Sequence, residues 1–330
     1  MLALAMPALR LDLGIADQVL IFGTRLHRAE LDEYPRLTRL LYGPDSRSML
    51  ACFLASAAVG LVASLDVCSI GSSAAMVTTD RLFRHIELHA AKAGAWGRVL
   101  DAGTGDHSLN WLKTLPIDSI VAVTGDTTRA VGLREKFPQP HIEVLAGNWN
   151  DPTFLKDQVF DVIVADYLVG AIEGHAPYYQ DEIFPRLMPL LAPGGRLYVA
   201  GLQPITMSVP SGRALSTQDK LVLEMARTRD ACILLAGHRT YREFPLDWVL
   251  RQLERSGLSV ESKAQFANVY TATTIKRQVQ VGRTKLPLVQ DAMLAKSMGK
   301  YLDKLDQQAD DATRDGSFEF GFDYVVAATN

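Results

Sequence analysis

Arg98-Val-Leu-Asp-Ala-Gly-Thr-Gly-Asp106 decides how this chain folds: a short apolar strand runs into Gly103 and Gly105 and then into a segment of helical character. A strand that turns sharply into a helix needs residues without a Cβ wherever backbone N–H groups must come close to a ligand. Gly103 and Gly105 supply that approach. Taken alone, the pair suits any tight turn after a buried strand, so the flanking sequence has to decide between the two.

Strand signals recur downstream at the spacing of alternating βα units: Ser119-Ile-Val-Ala-Val123, His141-Ile-Glu-Val-Leu145, Phe160-Asp-Val-Ile-Val-Ala165 and Arg196-Leu-Tyr-Val-Ala200. They are mostly continuous apolar runs, as strands buried on both faces require. Helices are predicted between them, over Ser108 to Leu115, Thr128 to Phe137 and Tyr179 to Leu191. The class is α/β, a parallel doubly wound sheet.

Over roughly residues 80–202, and more loosely to the C-terminus, these motifs resemble in order those of the class I S-adenosylmethionine-dependent methyltransferases. The resemblance implies a Rossmann-like seven-stranded doubly wound sheet, here with an N-terminal helical extension over residues 1–75 and the cofactor-binding domain over 76–330. Asp101, Ala102, Gly103, Thr104 and Gly105 match the family's first motif, which meets the amino-acid half of the cofactor; His107 stands where many members have a third glycine. The family's ribose-binding acid at the end of the second strand is Thr124 here. Asp126, two residues on, is either its substitute or a helix cap. Asn148 and Trp149 match the adenine-recognising segment, with the Asn148 carbonyl as acceptor in place of the usual carboxylate. Asp166 and Tyr167 end the fourth strand, where the family places groups near the transferring methyl; the Gly194-Gly195 pair in Leu191–Arg196 reads as a turn. An amphipathic helix over Asp247 to Ser256, a sixth strand over Gly257 to Ser262, an insertion over about 275–315 and a seventh strand over Phe322 to Ala328 complete the expected topology.

The implied activity is in-line methyl transfer to a small-molecule acceptor, for which alignment and exclusion of water matter most and a base is optional. Tyr167 and His175 are the catalytic candidates, His175 because imidazole suits proton transfer near neutrality. Tyr178, Tyr179 and His85 are expected to face the acceptor, although aromatic packing explains each tyrosine equally well. A loop over Gln203 to Ser216 is expected to join the acceptor pocket. Lys276, Arg277, Arg283 and Lys285 either meet an anionic acceptor or belong to a solvated insertion. Spermidine synthase-like aminopropyltransferases share the fold, but Thr124 and Leu168-Val169 lack the acids they use; a non-catalytic binding protein is the other rival.

A formal net charge of −3 over 330 residues leaves no basic footprint for nucleic acid. Cys52, Cys68 and Cys232 have neither metal-ligand spacing nor a disulfide framework. His85 and His89 share a helix face at i,i+4, yet no further ligand stands near them in sequence, so no metal is expected. The uncharged, Ala-rich run Ser48 to Leu65 is read first as a buried helix, with a membrane anchor or an import segment as minority readings. A cytoplasmic or organellar setting follows.

Overall fold

The computed structural model describes residues 18–21, 24–27, 78, 80–209, 212 and 214–330, and the chain divides into two compact units, Met1–Ser72 and Ser73–Asn330. In the first unit, β1 (Gln18–Ile21) pairs antiparallel with β2 (Thr24–His27), Val19 opposite Leu26. The N-terminal extension, expected to be helical, therefore holds Arg25 in a strand: Phe22-Gly23 separates the apolar Gln18–Ile21 from Thr24–His27 at the two-residue spacing of a hairpin. Residues 28–33, the apolar run 48–65, Cys52 and Cys68 lie outside the described residues.

The second unit opens with α1 (Arg81–Ala93). Asp80 caps it, its Oδ1 accepting from the N–H groups of Leu82 and Phe83 at 2.8 and 3.2 Å. Then come β3 (Arg98–Asp101), α2 (Asp106–Leu112), β4 (Ser119–Thr124), α3 (Thr127–Lys136), β5 (Ile142–Ala146), β6 (Phe160–Asp166) and α4 (Leu168–Ala171). The chain continues through α5 (Ile183–Leu187), β7 (Leu191–Leu202), α6 (Thr217–Leu235), α7 (Leu246–Arg255), β8 (Ser259–Tyr270), α8 (Ala272–Lys285), α9 (Ala292–Ala312) and β9 (Phe318–Thr329).

The seven strands β3 to β9 lie in the order β5-β4-β3-β6-β7-β9-β8, with β9 antiparallel to both neighbours and the pairs from β5 to β7 parallel. This is the Rossmann-like doubly wound sheet of class I methyltransferases. Central strands bury both faces: Leu100, Ile163 and Val199 pack on one side, Val99, Val162 and Tyr198 on the other. The reversal of strand order beside β3 opens a crevice at the carboxyl ends, the ligand-binding position of such sheets.

Three elements differ from expectation. The helix predicted over Tyr179 to Leu191 is only α5 followed by a 3-10 turn, Met188–Leu190, because Pro185 and Pro189 each remove an N–H from the run. β8 runs on from Ser262 to Tyr270 as the edge strand, alternating exposed and half-buried residues. The 19-residue α6 was unforeseen, though Ser216 and Asp219 form a capping box at its start. With α8 and α9 it encloses a separate core of Val222, Met225, Cys232, Ile275, Val279, Leu302 and Leu305.

α8 and α9 lie between β8 and β9, and two of the four basic residues in question pair there: Lys276 with Asp310 at 2.7 Å, and Arg283 with Asp303 and Asp306 at 2.7 and 2.8 Å. These cations are committed to α9, as a solvated insertion requires. Among the described residues no helix is long and apolar enough to cross a membrane.

Gly97, just ahead of β3, has φ +57° and a Cβ placed there would run into the Asp161 carboxylate, which accepts from Arg98 N–H at 2.7 Å. Gly97→Ala therefore meets backbone strain and a clash together, and should lower unfolding stability by about 2 kcal/mol or more. The urea midpoint reads this directly; an unchanged midpoint would refute it.

Candidate active site

The carboxyl ends of β3, β4, β5 and β6 enclose a cleft of about 360 Å³. Its floor is the loop after β3, tied to both flanking strands: Ala102 N–H donates to Val164 O and Thr104 N–H to Val123 O, each at 2.8 Å. The loop's glycines leave room for specific neighbours. Gly103 has Leu168 against it, Gly105 lies under the Arg129 guanidinium, and Gly125 at the end of β4 lies under the His175 ring.

Asp101 does not line the cleft. It is fully buried beneath the loop, where its Oδ2 accepts from the Ser108 hydroxyl at 2.7 Å and so locks the start of α2 to β3. Burial pushes its carboxyl up to about 6 against the opposing pull of Thr104, Ser108 and the Gly103 N–H. Its Oδ1 and the buried Thr104 Oγ1 have no well-aligned hydrogen-bond partner, and Thr104 lines the cleft. A polar ligand in the cleft can reach Thr104 but not Asp101, which lies beneath the loop.

On the β4 side, Thr124 lines the cleft, but Asp126 caps α3 instead, its Oδ1 accepting from Arg129 N–H at 3.0 Å. That correction has a local cause: a carboxylate placed just before a helix finds unsatisfied N–H donors nearer than any ligand. Asn148 lines the cleft with its amide donating to His175 O at 2.7 Å, so the β5 loop is tied to the segment after β6. Trp149 is buried, donates Nε1–H to Ala102 O at 2.9 Å and meets Phe154 edge-on, so it supports the glycine loop from below.

On the β6 side lie Asp166 and Tyr167. Asp166 is almost wholly enclosed and has no hydrogen bond or ion pair among the described residues; burial, then neighbouring Asp101, pushes its carboxyl up to about 7. Tyr167 adopts left-handed backbone, φ +49°, a strained conformation for a bulky residue and one that clusters at functional sites. Burial, then Asp323, pushes its hydroxyl far above the ordinary tyrosine value. Tyr167 therefore stays protonated at neutral pH and donates to Asp323, which rules it out as a base.

The remaining predicted residues separate. His175 is exposed and lines the same cleft as Tyr167, its ring over Gly125 at the end of β4. Tyr178 is 69% exposed between Arg239 and Arg242, and Tyr179 packs against the core; neither lines the cleft. Glu173 anchors this segment through Gln180 and Arg239. His85 packs edge-on against Phe266 on β8, outside the cleft lining, and His89 bonds Tyr198 at 3.1 Å, so the i,i+4 pair serves packing. His107 does line the cleft, stacked on Phe83 and bonded to Asp80 at 3.0 Å. Arg129 and Tyr241 line it unforeseen; neither belongs to a motif, and only their fold neighbours bring them there.

No family model matches the chain, and no curated protein matches it. Among solved structures, a methyltransferase candidate from Bacillus halodurans C-125 is 13% identical with a TM-score of 0.48, covering 76% of this chain and 98% of its own. The YcgJ protein from Bacillus subtilis is 15% identical with a TM-score of 0.46, covering 74% and 96%. A cyclopropane synthase from Mycobacterium tuberculosis is 16% identical with a TM-score of 0.44, covering 75% and 84%. The strand order of the sheet, not these likenesses, carries the fold assignment.

Proposed function

We propose that the protein is an S-adenosylmethionine-dependent methyltransferase acting on a small-molecule acceptor. The observation that carries this reading is the unpaired, enclosed Asp166 carboxyl in a cleft floored by the Gly103–Gly105 loop. A dinucleotide would bring phosphate charge against that carboxyl, whereas a sulfonium brings the positive charge it lacks. S-adenosylmethionine supplies an electrophilic methyl group for in-line displacement.

The residues present fit that ligand on three strand ends. Thr104 Oγ1 and the loop N–H groups offer hydrogen bonds to the amino-acid half, and Asn148 with the adjoining His175 frames the nucleotide half. At β4 the carboxylate that many relatives of this fold use for ribose is replaced by Thr124, whose hydroxyl accepts from Asp126 N–H at 3.3 Å and still has hydrogen-bonding capacity left. Single hydrogen bonds of this kind contribute about 1 kcal/mol each, so the substitution weakens binding without abolishing it.

Calorimetric titration of the full chain with S-adenosylmethionine, S-adenosylhomocysteine, decarboxylated S-adenosylmethionine and NAD tests the reading. Micromolar binding of the first two is the expected result. Preference for the decarboxylated form would replace methyl transfer with aminopropyl transfer, and silence from all four would leave a non-catalytic binding protein.

A further inference from the structure

In the layer formed by α6, α8 and α9, three chain segments come together at one end. Along α6 and α8 the contacts advance in step: Arg229 bonds Gln278 at 2.7 Å, Gly282 faces Arg229 and Cys232, and Lys285 Nζ lies 3.0 Å from His238 Nδ1, so the C-terminal ends of the two helices meet. α9 runs back the other way, with Leu302 against Gly282 and Gly299 against Leu286, which brings its start to the same end. The 3-10 turn Leu286–Leu288 leads from α8 into that start.

This end is apolar on its outside. Leu234, 60% exposed, and Leu235 close α6; Leu288, 53% exposed, ends the turn; Met293, 80% exposed, and Leu294 open α9. Large apolar side chains gathered at one place in water mark an interaction surface, whereas single ones need no explanation. The same end is basic. Residues 234–242 and 281–300 hold Arg239, Arg242, Arg283, Lys285, Lys296 and Lys300 against one acid, Asp291, in a chain whose formal net charge is −3. Asp291 caps α9 by accepting from Leu294 N–H, and the next acids along that helix, Asp303 and Asp306, are taken by Arg283. Arg242, Lys296 and Lys300 are exposed and have no ion pair among the described residues.

Apolar side chains carried on helix ends and a turn project outward rather than enclose a groove. That form suits entry among lipid headgroups, while flanking cations meet anionic phosphates and carboxylates. Self-association fits less well, because two copies meeting here would set like charges against each other. We propose that this end of the second unit docks on an anionic lipid bilayer, with Leu234, Leu288 and Met293 entering the headgroup layer and Lys296 and Lys300 at its surface. The chain leaving α6 continues from here to the cleft: Tyr241, 59% exposed, lines it, and the exposed Tyr178 stands between Arg239 and Arg242. Docking therefore sets these tyrosines and the cleft mouth toward the bilayer, where tyrosine rings are favoured. The docking stands independently of which ligand the cleft binds.

Sedimentation of the full chain with lipid vesicles tests this, one set made of phosphatidylcholine alone and one with about a third of it replaced by phosphatidylserine. Binding about tenfold or more tighter to the mixed vesicles, and weakening as salt is raised, is the expected result. The double variant Leu288→Asn/Met293→Asn should lower affinity for the mixed vesicles by about tenfold or more, and Lys296→Glu/Lys300→Glu should do the same while reducing the salt dependence. All four positions are exposed, and an unchanged urea midpoint shows that each variant is folded. Binding to neither kind of vesicle, equal binding to both, or mixed-vesicle binding that survives intact in either variant would overturn the proposal. Calorimetric titration with S-adenosylhomocysteine reads the cleft separately, so failure of the docking leaves the methyltransferase reading in place, and the reverse.

Discussion

The melting temperature of the protein should fall by about 5–10 °C as pH rises from about 5 to about 8, the reverse of a fold held together by ionised carboxylates. Asp101 and Asp323 are pushed up to about 6, and Asp166 and Glu243 to about 7, all four first by burial. Between about pH 4 and those values the native chain holds protons that the unfolded chain has released, so stability declines with pH and levels off above the folded values. Each tenfold difference in proton affinity between the folded and unfolded chain corresponds to about 1.4 kcal/mol. Because the four groups interact and three of them touch solvent, only about 2–3 kcal/mol of the nominal sum is expected, which sets the size of the change in a unit this long. Carboxyls held below their usual values, such as Asp106 beside Lys136 and Asp126 at its helix cap, titrate beneath this window and do not offset it. The double variant Asp166→Asn/Glu243→Gln should flatten the profile and raise the melting temperature at pH 8. A wild-type melting temperature that holds or rises across the window would refute the view that burial outweighs the hydrogen bonds of these four carboxyls.

What the sequence discloses of this site is its backbone. Gly103 lies close against Leu168 and Gly105 under the Arg129 guanidinium, and continuous apolar runs announce strands buried on both faces, so the loop and the sheet around it were legible. Side-chain allegiance was not. Asp126 looked equally suited to ribose and to a helix cap, and only the position of α3's first N–H groups decides between them. His175 lies nine residues from Asp166 in a loop of titratable groups, yet the chain carries its ring to the Gly125 side. The partner of Tyr167 was least accessible of all, because Asp323 comes from a segment far away in sequence and meets Tyr167 only when β9 inserts between β7 and β8. One signal was present: Asp323 interrupts the apolar strand Phe322 to Ala328, and a carboxyl in such a run either faces solvent or serves a site.

Asp166→Asn should weaken S-adenosylmethionine binding by about 10–100-fold while leaving S-adenosylhomocysteine affinity within about twofold. The two ligands differ by a methyl group and a positive charge, and Asn keeps the shape of Asp while removing its negative one. About 1.4–3 kcal/mol is what a nearby ion pair in a partly enclosed cleft contributes, and only the sulfonium can collect it. The turnover number should move differently. The positive charge on sulfur disappears as the methyl leaves, so a carboxylate beside it favours the bound ground state over the transition state. Removing that carboxylate should therefore raise KM for S-adenosylmethionine with kcat unchanged or slightly higher, the mark of an interaction made mainly before the chemical step. Loss of kcat with unaltered binding would assign Asp166 to proton transfer from the acceptor. Equal weakening of both ligands would mean that Asp166 holds a part they share and that the sulfonium is not its partner.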